Sequence, residues 1–245
     1  MTRSCWAYIN AEQEEQMSTK ILSVGGSIVA PEMPDVDFIR RFVEMARTYL
    51  SAHSGDRLIL VVGGGGPARI YQKAFADVAG ATGDTDAADW IGIMATRLNA
   101  QLVKACFSAM CKEPVVTDPT AATAFTGSVL VAAGWKPGFS TDNDAVLLAE
   151  RFGADTVVNL SNIEKVYTDD PRKNPDARPL DTISWADFRA MVGDEWQPGK
   201  NCPFDPVASK KAAALGLTVI CAGGKNIENT RAILEGGAYI GTTIR

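Results

Sequence analysis

The string LILVVGGGGPARIYQ at residues 58–72 constrains the fold more than any other part of the chain. Five consecutive apolar residues read as a strand buried on both faces, which is the signature of a parallel sheet covered by helices. Four glycines follow at 63–66. Pro67 then suits the first position of a helix, with Ile70, Ala74, Phe75 and Val78 on its apolar face. Glycines let backbone N–H groups approach an anion closely, and the helix N-terminus adds partial positive charge. Arg69, in the first turn, adds a guanidinium fork that could grip a phosphate. The same residues also read as a tight strand–helix turn beside a solvated arginine.

The rest of the chain repeats that alternation. Strands are expected at 20–24, 115–117, 128–132, 156–160, 217–221 and 239–244. Helices are expected at 37–50, where Phe38, Phe42, Met45 and Tyr49 share one side, and at 86–106, capped by Asp84 or Asp86. Further helices fall at 144–152, at 205–215, stopped by Gly216, and at 228–235. The polar, Asp-, Asn- and Pro-rich stretch 161–180 reads as an ordered functional loop or hairpin region. No internal repeat or linker divides the chain. The pattern predicts a mostly parallel sheet with helices on both faces.

Composition removes several function classes. A net charge of −5 offers no basic stripe for a nucleic acid. Every apolar run is too short for a membrane span. Five scattered cysteines without a CxxC pair read as reduced thiols of a cytoplasmic protein. His53 is the only histidine, so a His-based triad or a His-rich metal site is not expected, and no metal ligands are assigned. Residues 1–16 read as a flexible extension before the single domain 17–245, with Met17 an alternative start.

GxxxxGK[ST] is absent, so the glycine run is not a P-loop. Gly63, Gly65 and Ala68 do fit G-x-G-x-x-A, and Asp84 or Asp86 lies about twenty residues on. That acid should end the next strand, however, and here it precedes a long helix.

Five segments taken together resemble the uridylate kinases of the amino acid kinase superfamily, particularly the archaeal type. They are VGGGGPAR with DWIGIMATRLNAQLV (89–103), PGFSTDNDAVLLAE (137–150), ADTVVNLSNIEKVYTDDPRKNPDA (154–177), FDPVASKKAAALGLTVI (204–220) and GTTI (241–244). They occur in family order and cover nearly all of 20–245. The resemblance implies a three-layer α/β/α sandwich that transfers phosphate from ATP, with Mg²⁺, to a nucleoside monophosphate. The acceptor half would be about 17–142 and the ATP half about 143–245. The glycines at 25, 26, 63, 64 and 65 (Gly25, Gly26, Gly63, Gly64, Gly65) with Arg69 would hold the acceptor phosphate, and Asp89 would lie near the ribose. Ser140 and Thr141 would sit where acceptor and donor meet. Ser161, Asn162, Tyr167, Asp170 and Pro171 would line the ATP pocket, and Asp205 would organise the transfer centre. Simpler roles exist for three of these: Asp89 as a helix-surface acid, Tyr167 as core packing, Asp205 as a helix cap.

The chain departs from the family pattern around that centre. Ser23 stands where many members carry a lysine, and Lys136 or Lys210 could supply the missing charge. Trp135 stands where a small Thr is common, Asn143 and Asp144 where small apolar residues are, and Lys165 where a glycine is usual. Two alternatives therefore stay open. One is another phosphate acceptor, although isopentenyl phosphate and fosfomycin-type kinases usually place His near the position of Arg69. The other is an oxyanion-binding protein like the molybdenum storage proteins. The resemblance also implies a homo-oligomer, hexamer or dimer, with Trp6, Trp90, Trp185 and Trp196 as contact candidates.

Overall fold

The computed structural model describes residues 18–80, 83–122, 124–193 and 202–245. The elements run β1 (Thr19–Val24), α1 (Gly26–Val29), α2 (Val36–Ala52), β2 (Arg57–Val62), α3 (Gly65–Ala79) and α4 (Thr85–Phe107). Then follow β3 (Val129–Ala132), α5 (Thr141–Phe152), β4 (Thr156–Ser161), β5 (Thr182–Ile183) and α6 (Trp185–Val192). The last four are α7 (Pro206–Ala214), β6 (Thr218–Gly223), α8 (Ile227–Leu234) and β7 (Thr242–Ile244). One seven-stranded sheet, in the order β3-β2-β1-β4-β6-β7-β5, holds them together. All neighbours are parallel except β6 and β7.

The middles of the strands are mostly apolar because successive side chains enter two different cores. Leu22, Leu60, Val131, Val158 and Ile220 face α2, α4 and α8. Ile21, Ile59, Leu130, Val157 and Val219 face α5, α6 and α7. The expected three-layer sandwich is thus written into the alternation of each strand.

Several boundaries differ from the sequence reading, each for a local reason. The segment 115–117 makes only a bridge at Val116, since Pro114 and Pro119 beside it have no N–H to extend a ladder. The last strand starts at Thr242 and not at 239, because the Asn229 amide binds both the N–H and the C=O of Ile240. The helix expected from 144 starts at Thr141, capped by Ser140 Oγ on Asn143 N. Pro67 is the third residue of α3, not the first. Arg69 therefore sits in the second turn. Three elements escaped the sequence reading: α1, β5 and α6, each eight residues or shorter.

Two apolar assignments are also corrected. The expected buried face of α3 is open, with Ile70 57 % and Val78 88 % exposed, because α3 packs on α4 and not on the sheet. Trp185, expected at a contact surface, is half-buried against the α6–α7 core, and its Nε1–H donates to Leu217 O at 2.8 Å. Residues 1–16, Trp6 and Trp196 lie outside the described residues. No helix among the described residues is long and apolar enough to cross a membrane.

Candidate active site at the carboxyl ends of the central strands

In open α/β sheets, ligands bind beyond the carboxyl ends of the strands. The glycine loops after β1 and β2 meet there. Gly63 N–H donates to Val24 O at 3.0 Å, and Gly25 N–H donates to Leu160 O at 2.8 Å. The two loops pack backbone on backbone: a Cβ on Gly26 would lie 2.0 Å from Gly65 N, and one on Gly63 2.4 Å from Gly26 N. Gly65 also holds a φ of +64°, a region that disfavours side chains. The glycines therefore do more than admit an anion; they let the two loops touch. Asn99 of α4 fixes the ridge by donating to Gly63 O (2.9 Å) and Gly64 O (3.0 Å). The N-terminus of α3 has no side-chain cap and no acid in its first turn; Gly66 N–H donates to Ala30 O at 2.7 Å and Pro67 has none, so an anion there would meet the N–H groups of Gly64 and Gly65. Arg69 is exposed, and its Nη2 donates to Pro31 O at 2.9 Å.

The turn after β3, residues 134–138, is clamped from both sides. Thr96 Oγ1 accepts from Gly134 N–H at 2.8 Å. Arg97 donates to Gly134 O and Trp135 O. Asp89 Oδ2 accepts from Gly138 N–H at 3.0 Å, and Asp144 Oδ2 from Trp135 N–H at 3.2 Å. Asp89 is thus a turn anchor as well as a candidate ribose contact. The Lys136 ammonium lies 3.9 Å from the Trp135 ring centre and 5.0 Å from that of Phe139, a cation–π arrangement. Trp135 is half-buried and packs edge-on to Phe139.

The two halves join through Asp142, which the sequence reading left unassigned. Its Oδ1 accepts from Ser23 Oγ at 3.0 Å and its Oδ2 from Asp205 N–H at 3.2 Å. Asp205 in turn caps α7, with Oδ1 accepting from Ala208 N–H at 2.7 Å. Asn159 on β4 supports the approach to Asp205 by donating to Pro203 O. Ser23 is buried and committed to Asp142, so no ammonium fills the family lysine position from β1. Lys210 is exposed on α7. Burial pushes the Asp142 carboxyl up to about 6, the nearby Asp205 adding to the rise and the Ser23 bond opposing it. Asp144 is pushed up to about 7, by burial first and then by Asp142 and Asp118. Burial raises the Cys221 thiol, which removes it as a thiolate nucleophile.

The polar stretch after β4 is ordered by side chains. Ser161 Oγ accepts from Ile163 N–H, and Asn162 is exposed. Tyr167 bridges antiparallel to Pro179, which makes the stretch hairpin-like. Asp170 receives the Arg172 side chain and backbone N–H just before Pro171 opens a turn. Those bonds hold its carboxyl below the usual range. Thr242 Oγ1 ties the stretch to β7, accepting from Val166 N–H and donating to Leu180 O. Lys165 has no positive φ and pairs with Asp181. Among the described residues no group of three or more His, Cys, Asp or Glu is arranged to hold a metal ion.

Residues 18–223 match the family model described as the amino acid kinase family. The chain belongs to that family. Within it, the chain is 36 % identical to a uridylate kinase of Methanospirillum hungatei over 93 % of this chain and 95 % of that one. It is 33 % identical to a uridylate kinase of Pyrococcus abyssi, covering 91 % and 98 %. The crystal structure of uridylate kinase from Archaeoglobus fulgidus superposes with a TM-score of 0.78 at 31 % identity, covering 94 % of this chain and 100 % of that one. The UMP kinase structure from Bacillus anthracis, at 17 % identity and a TM-score of 0.72, shares the fold.

Several site residues escaped sequence reasoning. Thr96, Arg97, Asn99 and Asp142 act on partners 35 to 119 residues away. The available signal was their position inside the two motifs DWIGIMATRLNA and PGFSTDND.

Proposed function

We propose that this protein is a uridylate kinase, transferring the γ-phosphoryl group of MgATP to UMP to give UDP and ADP. The observation that carries this reading is the set of uridylate kinases at more than 30 % identity over more than nine tenths of both chains. An oxygen of the acceptor phosphate attacks the γ-phosphorus, and the bond to the β,γ-bridging oxygen breaks as ADP leaves. This transfer needs alignment and charge neutralisation more than covalent help. The uncapped α3 N-terminus at Gly64 and Gly65, with Arg69 nearby, suits the acceptor phosphate. Ser140 and Thr141 begin α5 between the two halves, and Asp205 orients the transferring end. Mg²⁺ brought in with ATP would neutralise the charge that builds on the transferring phosphate. Lys136 and Lys210 are candidate donors to the transferring group. Residues of the 161–171 stretch suit the nucleotide of ATP.

An ADP-release assay with a panel of monophosphates tests the reading. UMP should be turned over in preference to CMP and AMP. Equal or better turnover of CMP or AMP would redirect the acceptor assignment. ATP binding without turnover, together with bound metal in the purified protein, would favour an oxyanion-storage role.

The exposed apolar residues of α3 and α4 support self-association. Trp90, Met94, Leu98 and Leu102 recur every four residues along α4, and Ile70, Tyr71 and Val78 extend the patch onto α3. Their exposed area is roughly 800 Å², about what one partner gives to a standard interface. A second copy of this chain is the occupant that matches a patch of this size on a single long helix and its neighbour. Light scattering should give an oligomer, and Leu98→Glu should reduce its mass. The reduced thiols and the absence of a spanning helix among the described residues are consistent with a cytoplasmic enzyme.

A further inference from the structure

One carboxylate beside this site takes no part in the chemistry above. Asp144 lies in the first turn of α5 and is 0 % exposed. Its Oδ2 accepts one bond, from Trp135 N–H at 3.2 Å, while its buried Oδ1 has no hydrogen-bond partner among the described residues. The charges nearest to it have its own sign: Asp142 on α5 and Asp118 from the segment preceding β3. The cations around the turn are engaged elsewhere. From α4, Arg97 binds the carbonyls of Gly134 and Trp135. From the turn itself, Lys136 sits over the two rings. The β1 and α7 groups on this side, Ser23 and Asp205, are bound to Asp142. A buried carboxylate with one long hydrogen bond, one bare oxygen and no cation is costly to ionise.

We propose that Asp144 is a positioning residue that makes the 134–138 turn, and with it the acceptor side of the active site, dependent on its protonation state. As the neutral acid, it lets the turn close over a dry interior. As the carboxylate, it needs solvation that the closed turn denies, so the turn loosens. This inference rests on the kinase reading for its kinetic consequence only. Burial and the two like charges raise the carboxyl to about 7. The folded value lies above the ordinary 3.8. The stability contributed by the neutral form is therefore complete below about pH 4, falls as pH rises, and is lost above about 7.

Two variants and three readouts test it. Asp144→Asn keeps the shape and the acceptor for Trp135 N–H but does not ionise; Asp144→Ala removes the carboxyl altogether. Wild-type tryptophan emission should shift with a midpoint near pH 7. The shift should vanish in Asp144→Asn and shrink in Trp135→Phe. In wild type the UMP KM should rise about fivefold or more from pH 6 to pH 8, while the ATP KM moves little. Asp144→Asn should remove the rise, and since both proteins meet the same titrating substrate, the difference belongs to Asp144. Asp144→Asn should melt about 10 °C above wild type at pH 8 and close to it at pH 4. If Asp144→Asn and Asp144→Ala both keep the wild-type emission shift, the inference is overturned, whatever their activity. If no monophosphate is turned over, the kinase reading fails, and the emission shift still decides the role of Asp144.

Discussion

The glycine ridge after β1 and β2 and the polar stretch after β4 both sit at the carboxyl edge of one sheet, but they are built on opposite principles. In the ridge, main chain touches main chain, and Gly26, Gly63 and Gly65 leave no room for a side chain. In the polar stretch the backbone is held at a distance by side chains: Thr242 at its root, Asp170 with Arg172 at its tip, Lys165 with Asp181 along its flank. The first arrangement fixes geometry and forbids substitution. The second tolerates substitution because each partner can be exchanged. Lys165, one of the departures from the family pattern, lies in the second region, while the four glycines of the first stand intact.

The largest test of that contrast is Gly26→Ala. Its Cβ would meet Gly65 N at 2.0 Å, with Gly63 C and Gly64 N each at 2.7 Å, and all three are backbone. A loss of about 3 kcal/mol or more is expected in urea unfolding. A loss under about 1 kcal/mol would mean the ridge can yield and the contrast is wrong.

Next comes Asp205→Asn, at the point where the two regions meet. Asn retains the cap on Ala208 N–H, so the melting temperature should stay close to wild type. Turnover should fall about a hundredfold, as when a preorganised charge at the transferring group is removed. Unchanged turnover would reduce Asp205 to a cap.

A smaller effect is expected for Arg69→Ala. Calorimetric titration should show UMP binding weakened by about 2 kcal/mol, the range of a charge-assisted contact, with ATP binding unchanged. Equal loss for both ligands would trace the effect to the lost bond to Pro31 O and not to the acceptor.

The smallest belongs to the polar stretch. Lys165→Gly removes an ion pair whose Asp181 partner is 84 % exposed, and the change in stability should stay under about 1 kcal/mol. A loss as large as that at Gly26 would erase the distinction between the regions.

The contrast also explains what sequence could reveal. The strands at 20–24, 58–62 and 156–160 were legible because burial on both faces makes them mostly apolar, and burial is a property of each residue alone. The ridge was legible as glycine but not in purpose, since the close approach of Gly26 to Gly65 depends on two loops 39 residues apart meeting. The α3 face misled because apolar residues on a helix say that something should cover them, not what. Ser184 caps α6 by the same signature used for α4, yet the helix is short and its run of apolar residues is broken, so its period was invisible. Asp142 was passed over for Ser140 and Thr141, because its importance lies in Ser23 and Asp205, far away in both directions.

That position of Asp142 bears on how the protein folds. Its two bonds close loops of 119 and 63 residues, and loops of such length form after local helices and neighbouring strands are in place. A nascent chain that has completed β1 to β3 holds Ser23 but neither Asp142 nor Asp205. A chain folded no further than β3 therefore has its two glycine loops in contact but not the Ser23–Asp142–Asp205 link that joins them to the second half of the sheet.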